Sequence, residues 1–298
     1  MKVIERCGYG ASFNELTIVG DKIRKRCKND YGLKKICMEI KFYKYVIENK
    51  INFPIANIYN FYKDGYDMKY LEDYLPLYKN YFGTDGVYKS LEYLHSHESQ
   101  KVTKEYFIEQ LHYEIDTKII KRYDEIKGVL GKYSYITHVN GKRILPFHTL
   151  LEFTNTRIIK IVNDWSEFTF VPIHGDCQFN NILTNGDSIV FIDPRGYYGT
   201  NEIFGMKEYD YAKVLFAISG YDEFDNRYVD KLDITNENIT IELNMLENDI
   251  FNKEELIVLL MLNIWLGNAH SFSNNEPKMM YSYFIALYLG TLYFNRLN

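Results

Sequence analysis

The chain has few cysteines, and none lies in a pattern typical of a disulfide scaffold or a metal site. Its 298 residues contain four cysteines, which form no Cys-x-x-Cys pair. Reduced thiols in a cytoplasmic protein are therefore the simplest expectation. The histidines offer no zinc ligand set, because His95 and His97 are two residues apart and His112 is distant. Cys177 adjoins Asp176 with no base at a recognisable spacing, which favours packing over a nucleophilic role.

The chain also lacks a basic surplus and an apolar run long enough to cross a membrane. Its net charge of −5 gives no electrostatic reason to expect a nucleic-acid partner. The first six residues do not form the apolar run of a signal peptide. Met279–Phe294 is apolar, but Ser282 and Gly290 interrupt it, and it falls short of the ~20 apolar residues of a membrane span. We expect a buried helix there and no membrane insertion. The sequence leaves the oligomeric state open.

The length and composition of the chain are those of a folded protein with more than one lobe. Hydrophobic residues make up 46% and charged residues 25% of the sequence, proportions typical of soluble globular proteins. A chain of 298 residues is long for a single core, so we expect two lobes or domains.

A hairpin is predicted in the second half of the chain. Residues 182–184 and 189–192 are short apolar runs typical of strands, and Asn185-Gly186 lies between them. Asn-Gly is a strong signal for a tight turn, because both residues tolerate a positive φ. The hairpin returns the chain, so the residues that flank it come close together.

Three oxygen-bearing side chains converge at the open end of this hairpin. Asn181 precedes the first strand, Asp193 follows the second, and Asp176 lies one short loop upstream. Such ligands suit Mg²⁺, which typically takes one or two carboxylates together with substrate phosphates. The alternative is an ordinary hairpin with acids at its ends.

These residues carry a resemblance to a known family. His174-Gly-Asp176, then Asn181, then Ile192-Asp193 resembles the catalytic segment of aminoglycoside phosphotransferases and choline kinases, small-molecule relatives of the protein kinases. The resemblance implies that Asp176, Asn181 and Asp193 are catalytic, with Asp176 deprotonating an acceptor hydroxyl. It also implies that Asn181 and Asp193 hold Mg²⁺, and that ATP or another nucleoside triphosphate is the phosphate donor.

The resemblance further implies an α+β, bilobal protein-kinase-like fold. Residues 1–75 would form an N-terminal ATP-binding lobe, a small antiparallel sheet with one helix. Residues 76–298 would form a mostly helical C-terminal lobe that holds the catalytic loop and the acceptor site. The pattern of apolar residues predicts helices in that lobe over 87–95, 103–130, 150–165, 208–218, 254–266 and 279–297.

A glycine-containing turn is predicted near the N-terminus, between the first two of three strands. In the fold that the resemblance implies, the turn Gly8-Tyr-Gly10-Ala-Ser12 would cover the ATP phosphates. Backbone N–H groups around Gly10 and the hydroxyl of Ser12 would then face phosphate oxygens. The segment is not a full Gly-x-Gly-x-x-Gly motif, so a plain hairpin is the alternative.

The third predicted strand carries a candidate nucleotide-binding lysine. Ile23 and Lys25 share one face of the strand 22–27, so Ile23 would touch the adenine while Lys25 reaches the α- and β-phosphates. Arg24 and Arg26 are not excluded by the sequence alone. The resemblance favours Lys25, because the kinase lysine lies on the inner face of this strand.

The helix predicted over 33–48 carries a candidate partner for Lys25. Ile36, Ile40, Tyr43 and Ile47 form an apolar stripe, and Glu39 borders it. Glu39 can therefore face the sheet and pair with Lys25. An exposed helical glutamate is the alternative, and the order of strand lysine and helix glutamate favours the pair.

Two further strands are predicted over 58–62 and 66–71, on either side of Asp64-Gly65. The second matches the kinase hinge region, so the resemblance places Met68 and Tyr70 at the edge of the adenine pocket. Main-chain groups typically hold adenine there, so the side chains carry little information.

Four residues are candidates for contacts with the acceptor or the γ-phosphate. Gln178 stands where protein kinases carry lysine and would supply a hydrogen bond but no charge. Arg195 is a candidate second cation near the γ-phosphate, with an ion pair that holds the loop as the alternative. Trp265 and His270 belong to a polar and aromatic cluster at a helix end. Trp265 could contact a cationic acceptor through its ring, and core packing is the alternative.

Two acidic features of the C-terminal lobe have structural interpretations. Asp210 resembles an acid that ties the catalytic loop to the following helix in this family. The acidic run Asp222–Asp225 is expected to be a solvated surface stretch.

The segment after Asp193 narrows the acceptor class. It contains neither Asp-Phe-Gly nor Ala-Pro-Glu, and a helix is predicted within about fifteen residues. A peptide-docking platform is therefore missing, which favours a small-molecule acceptor such as choline, an amino sugar or a related sugar alcohol. A catalytically silent nucleotide-binding scaffold and a metal-dependent phosphohydrolase are the alternatives.

Overall fold

The structure, a computed structural model, describes residues 2–3 and 12–297. The chain divides into two compact units. The first unit combines the residues up to 102 with 169–217, and the second combines 103–168 with the residues from 218 onward. The predicted α+β class is confirmed. The predicted division into lobes at residues 75 and 76 stays a prediction.

The described residues form short strands and longer helices along the whole chain. The strands are β1 Lys2–Val3, β2 Asn14–Val19, β3 Lys22–Cys27, β4 Ile58–Tyr62, β5 Gly65–Lys69, β6 Leu75–Pro76, β7 Gln100–Lys101, β8 His138–Val139, β9 Lys142–Arg143, β10 Thr169–Pro172, β11 Ile182–Thr184, β12 Ile189–Phe191, β13 Tyr197–Tyr198, β14 Asn201–Glu202, β15 Phe204–Gly205, β16 Ile234–Thr235 and β17 Asn238–Ile239. The helices are α1 Asp30–Glu48, α2 Asp85–Ser96, α3 Lys104–His112, α4 Lys118–Leu130, α5 Phe147–Asn163, α6 Lys207–Ile218, α7 Tyr221–Asn226, α8 Glu255–Leu266 and α9 Glu276–Leu297.

The first unit is built on an antiparallel sheet of order β1-β2-β3-β5-β4. Helix α1 packs on this sheet and begins three residues before its predicted start. The reason is the side chain of Asn29, which accepts the N–H of Gly32 at 2.9 Å and caps the first turn. Two aromatic residues of α1 are fully buried: Tyr43 packs against Tyr66 of β5, and Phe42 packs against Phe53 and His174.

The catalytic hairpin β11–β12 belongs to a second sheet of this unit, in the order β12-β11-β6. Leu183 pairs with Pro76 of β6, which forms the third strand of the sheet. Pro76 lacks an N–H and lies on an edge strand, where that donor is not needed.

The second unit is mostly helical, and α5 packs against both α8 and α9. The side chain of Thr103 accepts the N–H of Tyr106 at 3.2 Å and caps the start of α3. The predicted helix over 103–130 is interrupted, because a π turn at Tyr113–Thr117 separates α3 from α4. Helix α9 is buried along much of its length, which confirms the prediction for Met279–Phe294.

The second unit contains one long apolar segment and corrects one prediction about the surface. Residues 255–272 are long and apolar enough to span a membrane by composition alone, with mean hydropathy 1.3, and 72% of them are buried inside the protein. The prediction of a solvated acidic run at Asp222–Asp225 is wrong for Asp222, which is 1% exposed. The run folds as α7, and helical spacing turns Asp222 inward while Glu223 stays partly exposed.

Candidate active site

The hairpin predicted in the catalytic segment is present, with a longer connection than a tight turn. Residues 185–188 join β11 to β12, and the side chain of Asn185 accepts the backbone N–H groups of Asp187 and Ser188 at 3.2 and 3.0 Å. Gly186 adopts a φ of +97°, a conformation that favours glycine. The Asn-Gly signal therefore located the turn correctly but not its length.

The hairpin brings together the two ends of the catalytic segment. The N–H of Ile192 donates to the carbonyl oxygen of Asn181 at 2.9 Å. The side-chain amide of Asn181 donates to both the backbone oxygen and Oδ2 of Asp176, each at 3.0 Å. Because the amide nitrogen serves Asp176, Oδ1 is the atom of Asn181 that could ligate a cation.

A buried acid holds the backbone of the catalytic loop. The carboxylate of Asp210 accepts the N–H groups of His174 and Gly175 at 2.9 and 2.6 Å, and Nε2 of His95 lies 3.1 Å away. Burial opposes the charge, but the contacts with His95 and with the loop N–H groups hold the pKa of Asp210 below its ordinary value. The predicted tie between the loop and the helix is thus confirmed.

The ring of His174 supports the backbone of the loop through both of its nitrogens. Its Nε2 lies 3.1 Å from the carbonyl oxygen of Ile192, and its Nδ1 accepts the N–H of Asp176 at 3.3 Å. Complete burial lowers the pKa of His174, so the ring is neutral and Nε2 carries the proton. Cys177 is likewise fully buried, and burial raises the pKa of its thiol, which fits packing.

Lys25, the candidate nucleotide-binding lysine, forms an ion cluster with Glu39 and Asp193. Nζ of Lys25 lies 2.8 Å from Oε2 of Glu39 and 2.9 Å from Oδ1 of Asp193. The hydroxyl of Tyr66 donates to the same Glu39 oxygen at 2.7 Å, and the hydroxyl of Tyr43 accepts the N–H of Asp193 at 3.1 Å. Burial raises the pKa of Glu39, with the charge of Lys25 opposing that shift.

Strand alternation decides which of the three neighbouring basic residues enters this cluster. Lys25 is 1% exposed, on the face of β3 that packs against α1. Arg24 instead donates to both oxygens of Asp67, at 2.9 and 3.0 Å, and Arg26 donates to Asp64 at 2.7 Å. The alternatives that the sequence left open are therefore engaged elsewhere.

Helix α1 turns Glu39 toward the sheet, as predicted, but its buried face is rotated relative to the predicted apolar stripe. The buried residues follow the steps Ile36, Glu39, Tyr43 and Val46, while the predicted member Ile47 is 46% exposed. The face is rotated by part of a turn, because the large ring of Phe42 also needs burial. Glu39 thus lies at the centre of the buried face.

The segment after Asp193 is fastened to the same helix. Gly196 has a φ of +69°, and a β-carbon there would lie 2.4 Å from the carbonyl oxygen of Met38. Nζ of Lys35 donates to the hydroxyl of Tyr197 at 2.6 Å. These contacts hold the segment that follows Asp193 against α1.

Sequence reasoning missed one residue of the catalytic loop environment. Nζ of Lys213, on α6, lies 3.0 Å from Oδ1 of Asp176. Burial opposes the charge, but the carboxylate of Asp176 raises the pKa of Lys213 above its usual value. The available signal was spacing, because Lys213 lies three residues after Asp210 and therefore on the same face of the helix.

Two of the residues that were predicted to contact the acceptor or the γ-phosphate, Arg195 and Gln178, lie close to the loop. Arg195 donates from Nη1 to the hydroxyl of Tyr209 at 2.9 Å, and its guanidinium carbon lies 4.0 Å from the ring centre of Tyr197. Gln178 is half-buried, and its backbone carbonyl oxygen accepts the N–H of Asn181 at 2.9 Å. Their roles toward a substrate stay predictions.

The predicted adenine side is partly described. Met68 lies in β5, 3% exposed, opposite Ile23 in the sheet register. Tyr70 follows that strand and is half-buried. Ser12 is exposed, and Gly10 lies outside the described residues. The nucleotide contacts of these residues stay predictions.

The remaining two predicted substrate residues, Trp265 and His270, belong to the second unit. Trp265 is fully buried, donates from Nε1 to Oγ of Ser219 at 2.8 Å and contacts the ring of Tyr221. Nε2 of His270 lies 2.6 Å from Oε2 of Glu125. Core packing, the alternative considered for Trp265, is what the structure shows.

The donor atoms at the hairpin fit a cation of the Mg²⁺ type. Within residues 2–3 and 12–297, no group of three or more His, Cys, Asp and Glu side chains could hold a metal ion. Asn181 and Asp193 are the residues that would hold a cation together with phosphate oxygens, the mixed ligand set that Mg²⁺ typically takes.

No family model matches the chain, and no curated protein matches it. Solved structures do resemble it. A GDP complex of a variant of aminoglycoside 2'-phosphotransferase IIIa is 12% identical, with a TM-score of 0.55, over 100% of this chain and 93% of that one. The gentamicin complex of aminoglycoside phosphotransferase (2'')-IIa is 13% identical, with a TM-score of 0.53, over 97% and 91%.

A choline/ethanolamine kinase family protein from Mesorhizobium loti is 11% identical, with a TM-score of 0.52, over 97% of this chain and 88% of that one. At such identities the likeness defines the fold. The chain has the protein-kinase-like fold of aminoglycoside phosphotransferases and choline/ethanolamine kinases, as the catalytic segment predicted.

Proposed function

We propose that this protein is an ATP- and Mg²⁺-dependent phosphotransferase that moves the γ-phosphate to a hydroxyl group of a small molecule. The observation that carries the proposal is the position of Lys25, whose Nζ lies within 3 Å of both Glu39 and Asp193. A nucleotide-binding lysine, the helix glutamate that orients it and the metal-side aspartate therefore meet at one point.

Asp176 is the proton acceptor in the proposed step. The acceptor hydroxyl oxygen attacks the γ-phosphorus, and its proton passes to the carboxylate of Asp176. The bond from the γ-phosphorus to the bridging oxygen breaks, and ADP leaves with that electron pair. Asn181 holds Asp176 from its side-chain amide, which orients the carboxylate toward the acceptor.

The charge of the nucleotide is met from two sides. Lys25 binds the phosphates that are not transferred, and Glu39 holds the lysine in place. Asn181 Oδ1 and the Asp193 carboxylate would hold Mg²⁺, which supplies charge neutralisation when bound. The left-handed backbone of Asp193, with a φ of +54°, is the kind of strained conformation that clusters at functional sites.

A small-molecule acceptor is supported by the short connection after Asp193. Residues 194–206 form the short strands β13 to β15 and lead directly into α6. They leave no long segment that could dock a peptide. The similar solved structures include a complex with gentamicin and a choline/ethanolamine kinase family protein. Choline, amino sugars and related sugar alcohols are the acceptors that we propose to test.

The test is a screen of these acceptors for ADP or GDP release from the nucleoside triphosphate in the presence of Mg²⁺. GTP is included because one similar structure is a GDP complex. We expect release that depends on both the acceptor and Mg²⁺. Nucleotide binding with no release for any acceptor would support a scaffold, and release without any acceptor would support a phosphohydrolase.

A matched pair of variants separates the kinase from the phosphohydrolase. Lys25→Ala removes the buried cation, and we expect kcat/KM to fall by about 100-fold or more. Arg26→Ala removes a neighbouring cation whose partner, Asp64, is 56% exposed, and we expect a change of less than about threefold. Unchanged turnover in Lys25→Ala would contradict the proposed function.

A further inference from the structure

A buried lysine on α6 forms an ion pair with the proposed catalytic base. Nζ of Lys213 lies 3.0 Å from Oδ1 of Asp176, and the two side chains are 14% and 29% exposed. Oδ2 of the same carboxylate accepts the amide of Asn181 at 3.0 Å. The two oxygens of Asp176 therefore have different partners, a cation on one and a neutral donor on the other.

The position of Lys213 relative to the loop is rigid. Asp210, three residues earlier on α6, accepts two backbone N–H groups of the catalytic loop, from His174 and Gly175. Residues three apart lie on the same face of a helix. One face of α6 thus holds the loop backbone with a carboxylate and the Asp176 side chain with an ammonium group.

Two other polar side chains of the loop, Gln178 and Arg195, differ from Lys213 in charge or in their contacts. Gln178 is neutral. The guanidinium of Arg195 donates to Tyr209 and lies on the ring of Tyr197. Phosphoryl transfer places negative charge on the moving group, and lysine or arginine side chains typically stabilise it.

We propose that Lys213 is the cation that acts on the transferred phosphoryl group. It would take the role that a lysine at position 178 has in protein kinases, because Gln178 is neutral here. It orients Oδ1 of Asp176 and stabilises the negative charge that builds up on the transferred phosphoryl group. The inference rests on the proposed function. In a site screened from water, an ammonium group acts on such charge far more strongly than it does in bulk solvent.

The first experiment measures the transition-state charge without needing the acceptor. The binding of MgADP is titrated by calorimetry with and without aluminium fluoride, whose complex with ADP mimics the transferring phosphoryl group. We expect wild-type protein to bind MgADP more tightly with aluminium fluoride. Lys213→Met should lose most of that gain, while its Kd for MgADP alone stays within about twofold.

Matched variants separate the loss of charge from the loss of fold. Lys207→Met makes the same substitution on an exposed part of the same helix and should behave as wild type. Lys213→Arg keeps the charge and should keep most of the gain. Lys213→Gln loses the charge but keeps a polar group, and it repeats the test where Lys213→Met does not fold.

Turnover provides the second measurement once an acceptor is found. Lys213→Met should lower kcat by about 100-fold with little change in the KM for nucleotide. Adding Gln178→Lys to Lys213→Met returns a cation to the loop, two residues after Asp176. We expect this double variant to recover at least about tenfold in kcat, which a lysine that only supports the fold would not explain.

The outcomes are distinguishable. If wild-type protein binds no MgADP, both the proposed function and the role of Lys213 are overturned. If MgADP binds and the charge-loss variants keep the gain from aluminium fluoride, only the role of Lys213 is overturned. Equal losses in Lys213→Arg and Lys213→Met would also overturn it, because the charge would not be the cause.

Discussion

Gly196 lies against the backbone of Met38, so that a β-carbon on Gly196 would come within 2.4 Å of the Met38 carbonyl oxygen. The contact joins the loop that follows Asp193 to the helix that carries Glu39. It explains how two segments far apart in the sequence keep Lys25 between Glu39 and Asp193. Backbone atoms cannot move aside as a flexible side chain can.

Gly196→Ala is therefore expected to disturb the ion cluster. The control is Gly20→Ala, because Gly20 has a similar φ of +63° but no atom within 4 Å of an added β-carbon. Both variants carry a left-handed alanine, which costs about 1–2 kcal/mol. Only Gly196→Ala should also lose turnover, by about tenfold or more. If the two variants changed turnover and thermal unfolding to the same extent, the contact with Met38 would have no effect on the ion cluster.

Asp176→Asn is expected to abolish turnover while nucleotide binding remains. Asparagine keeps the size of the side chain but cannot accept a proton as a base, so kcat should fall by about 100-fold or more. The Kd for MgADP, measured by calorimetry, should stay within about twofold. Asp187→Asn, the same change in the exposed hairpin loop, is the control. Turnover that survives in Asp176→Asn would remove Asp176 from the mechanism.

Asp210→Asn is expected to destabilise the protein in a pH-dependent way. The folded-state pKa of Asp210 lies below its ordinary value, so the ionised group stabilises the fold above about pH 4. That contribution is lost as the pH falls through the folded-state pKa. The titratable groups that face Asp210 include His95, His174 and the thiol of Cys177.

Denaturant unfolding of wild type and Asp210→Asn at several pH values measures this contribution. We expect a gap of at least about 2 kcal/mol at pH 7, because hydrogen bonds to a buried charge are lost. The gap should shrink below about pH 4. Burial keeps His174 neutral, so acid destabilises both proteins through this residue, and the charge of Asp210 in the wild type opposes that effect. A gap that does not change with pH would contradict the ionised state of Asp210.

Trp265→Phe is expected to affect stability and leave acceptor binding alone. The change removes the Nε1–H that Oγ of Ser219 accepts at 2.8 Å, at a cost of about 1 kcal/mol. Ser219→Ala should cost a similar amount, and the double variant should be less destabilised than the sum. Denaturant unfolding tests the cycle. A raised KM for the acceptor with unchanged stability would restore the substrate role of Trp265.

Local patterns predicted the elements of the site well. The apolar runs at 182–184 and 189–192 with Asn185-Gly186 between them located the hairpin, because turn chemistry and alternation act within a few residues. The length of the connection was not predicted. It depends on how the side chain of Asn185 accepts two backbone N–H groups beyond the turn.

The residues that each helix or strand buries were predicted less well than the helices and strands themselves. The helix at 30–48 was expected to bury Ile47, which is 46% exposed, and to leave Glu39 at the border of its apolar stripe. Hydrophobicity alone cannot rank Phe42 against Ile47 for burial. The rings of Phe53 and His174, against which Phe42 packs, decided it.

By itself the sequence determined the hairpin and the placement of Asp176, Asn181 and Asp193 around it, because these residues are arranged by local chain geometry. The tertiary structure brought Lys25 into contact with Glu39, as the sequence had favoured, and it alone decided that Trp265 is core and that Lys213 reaches Asp176. The physical reason is that each of these contacts joins segments that lie far apart along the chain. Which faces of those segments meet depends on the packing of the whole unit rather than on the spacing of residues within either segment.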